Sequence, residues 1–451
     1  MKPTPIDART VYENIKAMNL QNVGTASIRE INRIVLNTIE KTGSPYIRME
    51  MGIPGLPPPQ IEIEGEINAL KEGVGSTYPP FDGIPQLKGE ISRFIRNFLN
   101  IGVNPAHCLP TVGSMQGCFM AMMVCGRRKR GKNRILFIDP GFPVNKKQVK
   151  ALGLPSDTFD IYDYRGSALE KKLESHLRRE DVAALIYSNP NNPAWICFTE
   201  EELKIIGELA SRYGVVVMED LAYIGMDFRE DYSQPGQPPF IPTVANYTDQ
   251  YILLISSSKS FSLAGQRIGM TAISDTLFGS RSEGLVEYFD TDHFGKAFIF
   301  GALYTLSAGV AHSTQYGLTE LLKATNDGRY NFLEPVRVYK ERAGEMKKIF
   351  LANGFHLVYD RDVDRELSDG FYFTVGYPGL TGSQLVEEFL YYGISAIALG
   401  TTGSTREGIR ACVSLTSKDQ FPLLRERLKR FHQDHQGGNF LAAREAGKTF
   451  G

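Results

Sequence analysis

The sequence predicts an α/β protein: a larger domain built on a mostly parallel sheet covered by helices, and a smaller α+β domain. Three observations predict it. Short, almost wholly apolar runs of strand length alternate with amphipathic helical patterns, which is how strands buried on both faces between crossover helices read. The chain has 451 residues, more than the roughly 250 to 300 that one core organises, so two domains are expected. From about Gly301 the pattern turns helical, and short strands flanking a helix follow.

Each element has its own signal. Leu87, Ile91, Phe94, Ile95, Phe98 and Leu99 recur at helical spacing after the turn-rich stretch from Tyr78 to Pro85, predicting an amphipathic helix. The runs Ile135 to Ile138, Val182 to Tyr187, Val215 to Met218, Ile252 to Ile255 and Met270 to Ile273 predict buried strands. Thr199 with Glu202 makes a capping box, apolar periodicity runs through Leu209, and Gly214 stands where a C-terminal cap belongs. Phe371 to Val375 and Ile409 to Val413 predict strands around a helix from Ser383 to Tyr391, and the tail from His432 reads as a helix end and a loose terminus.

Composition narrows the function classes. Apolar residues make up 42% and charged residues 22%, with a net charge of −1, so no global field attracts nucleic acid or an anionic membrane. The basic run Arg127 to Lys132 reads as a solvated turn before a strand. Cys108, Cys118, Cys125, Cys197 and Cys412 are odd in number and scattered, as expected of reduced, buried thiols rather than a disulfide framework. The seven histidines lack metal-ligand spacing, and no metal is expected. The start lacks a secretory apolar stretch, and no apolar run approaches the roughly 20 residues of a membrane span. A cytoplasmic, soluble protein is expected.

Four strand ends carry polar signatures: Asp139-Pro140-Gly141-Phe142, Asn189-Pro190-Asn191-Asn192-Pro193, Glu219-Asp220-Leu221-Ala222-Tyr223 and Ser256-Ser257-Ser258-Lys259. In a parallel sheet these gather at one edge, where ligands bind. A carboxylate, a carboxamide, a phenol and a lysine there can hold an aromatic, phosphorylated aldehyde. Taken singly each piece is ordinary: Lys259 alone is a solvated lysine and Asn189 to Pro193 alone a turn.

Their order is not ordinary. Asn-Pro, then Asp-x-x-Tyr, then Ser-x-x-Lys followed by Gly-x-Arg-x-Gly (Gly265 to Gly269) resembles the class I and II aminotransferases of the fold type I pyridoxal-phosphate group, aspartate aminotransferase-like, across nearly the whole chain. The separations of Asn192 from Asp220 and of Lys259 from Arg267 are similar to that family's.

The resemblance implies pyridoxal 5'-phosphate joined to Lys259 as an internal aldimine, with Lys259 moving the proton during catalysis. It implies Asp220 on the ring nitrogen, Tyr223 and Asn192 on the ring's O3′ oxygen, and Phe142 stacked on the ring. Arg267, Ser256 and the Thr111 to Gln116 stretch, with Ser114 and Met115 at a helix start, match the phosphate cup. Met115, Met120, Met122 and Met123 read as a flexible apolar helix face behind that cup. Arg410 matches the arginine that grips the substrate carboxylate, and Gly52 the flap over the substrate. Tyr78 matches the tyrosine that reaches the neighbouring subunit's phosphate, which implies a homodimer; a local turn aromatic is the other reading.

By resemblance, residues 1–50 join the smaller domain, 51–310 form the larger cofactor-binding domain with a seven-stranded sheet, and 311–451 form the smaller one. The implied reaction transfers an amino group between an L-amino acid and a 2-keto acid by a ping-pong route. A β-lyase or decarboxylase on the same scaffold is the alternative. Two departures stand out. Ala194-Trp195 follow Asn192-Pro193 where the family has Thr-Gly, which is expected to reshape the rim near the ring, and the segment before Arg410 lacks the family's proline while Arg406 lies close by.

Overall fold

The computed structural model of the chain describes residues 3–20, 22–436 and 442–450. Seven strands form its principal sheet: β1 (Cys108–Thr111), β2 (Arg134–Asp139), β3 (Ser156–Asp160), β4 (Val182–Ser188), β5 (Val216–Leu221), β6 (Tyr251–Ser256) and β7 (Gly269–Ile273). Their spatial order is β1-β7-β6-β5-β4-β2-β3. The pairs β2/β3, β2/β4, β4/β5 and β5/β6 are parallel, whereas β7 runs antiparallel to both β6 and β1. This is the predicted mostly parallel sheet.

Alternation along the central strands explains why they read as continuous apolar runs. Leu185 and Tyr187 of β4, with Leu253 and Ile255 of β6, enter the core on one face. Ala184, Ile186, Ile252 and Leu254 enter the core on the other. Both faces are covered, so every position favours an apolar side chain.

The five predicted strands are present with slightly wider bounds. The two not predicted, β1 and β3, are the edges of the sheet. β1 contains Pro110, which an edge tolerates because its missing N–H faces no ladder partner, and β3 is the half-exposed Ser-Asp-Thr-Phe-Asp.

The helices end where their caps place them. The helix Glu200–Tyr213 opens with a two-way capping box between Thr199 and Glu202 and closes on Gly214 in the left-handed conformation. The helix Pro85–Leu99 starts with proline at its first position and buries Leu87, Ile91, Phe94, Ile95, Phe98 and Leu99.

A second sheet is antiparallel, made of β8 (His356–Leu357), β9 (Tyr372–Gly376), β10 (Ile397–Ala398) and β11 (Ile409–Cys412), in the order β10-β11-β9-β8. Helices Val338–Leu351 and Gly382–Tyr391 pack on it, and Val338–Leu351 in turn meets Phe421–His435. The N-terminal segment joins this region, since Ile47–Arg48 pairs in parallel with Ile394–Ser395. The helix His312–Asn326 instead lies on helices Gln60–Lys71 and Pro85–Leu99.

One expectation is corrected. The tail from His432 reads as a helix end and a loose terminus; the helix Phe421–His435 does end there, but Ala442–Phe450 is helical and packs against helix Ala8–Ala17, with Ala442 and Ala446 fully buried. Small residues let the two helices approach closely, and the Glu388 carboxylate accepts the Ala442 backbone N–H. The part of that tail at residues 437–441 lies outside the described residues. All five cysteines are buried and free, and no helix among the described residues is long and apolar enough to cross a membrane.

Candidate active site

The C-terminal edges of β2, β4, β5 and β6 meet the second sheet at a cavity of about 260 Å³. Phe142, Asn192, Asp220, Tyr223, Ser256 and Lys259 line it from the strand ends, with Gly113, Ser114, Met115 and Arg267 beside them and Gly52 and Arg410 across from them. Tyr78 does not line it; the side chain is 96% exposed.

Arg267 reaches the same edge because β7 runs backwards: its start, not its end, abuts the end of β6, with Ser256 opposite Gly269. The Arg267 guanidinium packs onto Gly113, where a Cβ would sit 2.6 Å from Nη2, and Gly113 adopts φ +65°. Both facts require glycine. Gly113 begins the helix Gly113–Cys125, whose N-terminus has no side-chain cap on Val112. The amides of Ser114 and Met115 in its first turn, with Arg267 and the Ser256 hydroxyl, make a cradle for a phosphate. Met115 at this helix start faces the cavity and is exposed, so it is not core filler as Met120 and Met122 are.

Asp220, the last residue but one of β5, is 7% exposed, and its Oδ1 has no hydrogen-bond partner among the described residues. Burial pushes this carboxyl up to about 7, against one backbone bond from Ala222 that favours the anion. A buried acceptor of this kind is costly unless a donor fills it, and a protonated ring nitrogen is such a donor. Burial lowers Lys259 to about 8, and the charges of Arg267 and Arg410 push the same way. An amine so shifted loses its proton far more readily than a solvated lysine, which brings the neutral form that a nucleophile or base needs within reach.

Arg410, on β11, is 1% exposed. Its Nη1 donates to Asn192 Oδ1 at 3.2 Å and its Nη2 to the Glu50 carbonyl at 2.6 Å, and its Nε has no hydrogen-bond partner among the described residues. The guanidinium lies 4.5 Å over the Tyr372 ring. Arg406 does not line the cavity; it pairs with Asp163 and stacks over Tyr162.

Trp195, at the departure from the family pattern, is buried behind the rim. It donates from Nε1 to Ser368 Oγ at 3.1 Å and sets its ring edge-on to Tyr223 and Tyr372. Several lining residues escaped the sequence reading: Ile28, Met51, Ile53, Cys118, Asn145, Ala222, Ser258 and Tyr372. Ser258 and Ala222 lie inside the Ser256 to Lys259 and Glu219 to Tyr223 signatures, and Met51 and Ile53 flank Gly52; Ile28, Cys118, Asn145 and Tyr372 carry no local signal.

The chain belongs to the aminotransferase class I and II family, whose model matches residues 49–421. It is 26% identical to the probable aspartate aminotransferase of Methanocaldococcus jannaschii over 57% of this chain and 63% of that protein. It is 23% identical to the LL-diaminopimelate aminotransferase of Natranaerobius thermophilus over 76% of this chain and 82% of that one. The match thus spans less than two thirds of the first of these relatives. The aspartate aminotransferase structure from Thermotoga maritima superposes with a TM-score of 0.73 at 17% identity, covering 93% of this chain and 99% of that one, which shows a shared fold.

Proposed function

We propose that the chain is an aminotransferase that moves an amino group between an L-amino acid and a 2-keto acid in two half-reactions, using pyridoxal 5'-phosphate held at Lys259. The observation that carries this reading is the buried Asp220, with its unpaired oxygen, in the same cavity as a lysine of lowered proton affinity. When bound, the cofactor supplies an aldehyde for amines and a ring that accepts the electron pair released at the substrate's α-carbon.

The chain's own residues do the rest. Asp220 Oδ1 accepts the ring N–H and holds that proton in place. Tyr223 and Asn192 donate to the ring oxygen, and Phe142 covers one face of the ring. Arg267, Ser256 and the amides of Ser114 and Met115 hold the phosphate. Arg410 binds the substrate's α-carboxylate with the donors it has left, and Lys259 Nζ takes the α-proton. The remaining wall holds Ile28, Met51 and Ile53, and among the described lining residues Lys259, Arg267 and Arg410 are the cations. This favours substrates with uncharged side chains over dicarboxylates.

The test mixes purified protein with pyridoxal 5'-phosphate and follows its visible absorption as single amino acids are added without a keto acid. Uncharged L-amino acids are expected to bleach the band and yield one equivalent of keto acid, with aspartate at least about tenfold slower, a difference of roughly 1.4 kcal/mol. Lys259→Ala should form no such band. Catalytic release of pyruvate and ammonia from a β-substituted amino acid would replace this reading with a lyase; a relative named S-alkyl-thiohydroximate lyase, from Arabidopsis thaliana, is 25% identical over 47% of this chain.

A further inference from the structure

Tyr372 stands at the start of β9, far in sequence from every strand-end motif, yet it touches three parts of the cavity. Its hydroxyl lies 2.7 Å from the Tyr223 hydroxyl. Its ring carries the Arg410 guanidinium on one face. Its hydroxyl also lies directly under Gly52, where an added Cβ would collide with it while standing 3.3 Å from ring carbon Cζ. Tyr372 is 1% exposed, and Trp195, Phe371 and Tyr223 pack around it edge to face, so the ring is fixed from several sides.

We propose that Tyr372 is a positioning residue that donates its hydroxyl hydrogen to Tyr223 and thereby commits the Tyr223 hydrogen to the ring oxygen of the bound cofactor. The inference rests on the cofactor reading above and goes beyond it by assigning a role to a residue outside the family's motifs. In an isolated pair of phenols either oxygen can donate. Once a ring oxygen claims the Tyr223 hydrogen, the Tyr223 oxygen presents lone pairs only, and Tyr372 becomes the donor. Two hydroxyls pointing the same way along a chain polarise each other, so the terminal donor is strengthened. Tyr223 is 3% and Tyr372 1% exposed, so little water competes for the bond between their hydroxyls.

Donation to the ring oxygen favours the form of the cofactor in which that oxygen bears a full negative charge. It therefore lowers the pH at which the lysine-bound cofactor gives up its proton, an event visible as a shift of the absorption band. Removing the Tyr372 hydroxyl should raise that pH.

The experiment titrates the visible band of holoenzyme for the unsubstituted protein, Tyr372→Phe, Tyr223→Phe and the double variant. Phenylalanine keeps the ring against Arg410 and Trp195. Tyr372→Phe is expected to raise the midpoint by about 0.3 to 1 pH unit, a two- to tenfold change in proton affinity, and to add nothing once Tyr223 is phenylalanine.

Gly52→Ala supplies a second arm: the new methyl displaces the Tyr372 hydroxyl and should raise the midpoint in the same direction. Combining it with Tyr372→Phe, which removes the colliding oxygen, should leave the midpoint where Tyr372→Phe alone puts it. A midpoint unmoved by Tyr372→Phe, or shifts that add in the double variant, overturns the assignment of Tyr372 while leaving the cofactor reading intact. Failure of the unsubstituted protein to form the band with pyridoxal 5'-phosphate overturns the cofactor reading itself.

Discussion

Glu62 is fully buried in helix Gln60–Lys71, and neither of its carboxyl oxygens has a hydrogen-bond partner among the described residues. Burial, with the neighbouring Glu66 charge, raises it to about 7. The folded protein therefore holds the Glu62 proton more tightly than the unfolded chain does. This raised carboxyl subtracts nothing below about pH 4.5 and its full penalty above about pH 7, so stability falls as pH rises through that window. Glu62→Gln keeps the shape and cannot ionise. Thermal unfolding should show the variant more stable than the parent by about 2 kcal/mol at pH 8, with the difference gone at pH 4.5; equal melting at both values would refute the assignment.

At this scale the sequence was legible where chemistry sits beside a strand end. Asp220, Tyr223, Asn192, Ser256 and Lys259 each follow an apolar run, and topology alone brings such positions together. Arg410 was harder to separate from Arg406, because the difference is whether a side chain points at Asn192 or at Asp163. Tyr372 was not legible at all. Its importance comes from the packing of β9 against Tyr223 and Gly52, and no spacing encodes a contact between residues so far apart.

Among elements, the two-stranded hairpin Arg361–Asp362 with Arg365–Glu366 is held to the larger domain's side by a buried carboxylate, besides the bonds from Arg229 to the Glu366 carbonyl and from the Arg361 N–H to the Tyr162 hydroxyl. Asp362 is 0% exposed. It accepts from Arg165 Nη1 at 2.9 Å, from Arg229 Nη2 at 2.8 Å and from the Cys197 backbone N–H at 3.0 Å. Arg165 also pairs with Glu202, the capping-box residue of helix Glu200–Tyr213. Breaking a buried pair strands the remaining charges, which costs about 3–5 kcal/mol. Asp362→Ala should lower the urea midpoint accordingly and open the hairpin to limited proteolysis at native conditions, whereas an unchanged midpoint would show the network to be energetically idle.

That network was invisible in the sequence, although the Thr199 to Gly214 helix at its heart was read from cap to cap. Caps and apolar periodicity are local and survive as letters. The edge strands β1 and β3 were missed for the opposite reason: a proline and a polar half-exposed run suit an edge and resemble a loop. The C-terminal helix escaped because the polar, glycine-bearing tail reads as a terminus, and its docking on Ala8–Ala17 is a contact that no local pattern encodes.

For the whole molecule, Phe300, Tyr304 and Leu306 are exposed, and Phe81 packs against the first two within 5.4 and 5.1 Å, close in sequence to the 96% exposed Tyr78. Such apolar exposure suits a covered surface, and we propose that it is covered in the homodimer that the sequence resemblance implies, with Tyr78 serving the neighbouring site. A complementation experiment tests this. Tyr78→Ala and Lys259→Ala proteins, each impaired alone, are unfolded and refolded together in equal amounts. A shared site predicts that about a quarter of all sites regain full function, since hybrids restore one site of two. No recovery on mixing would place Tyr78 in its own subunit's chemistry or outside it.

The reversed strand β7 carries a consequence for how the site can be built and varied. A parallel connection would have to carry the chain around a helix, a dozen residues or more, before returning to the ligand side. Because β7 runs back antiparallel, Lys259 and Arg267, the proposed cofactor anchor and phosphate holder, both sit on the one segment 257–268 between β6 and β7, with the Arg267 carbonyl accepting the Gly113 N–H at 3.1 Å. That segment opens with the four-residue helix Ser257–Ser260 and delivers the chain to the start of β7 on the ligand side, so a single connection carries both proposed attachment points.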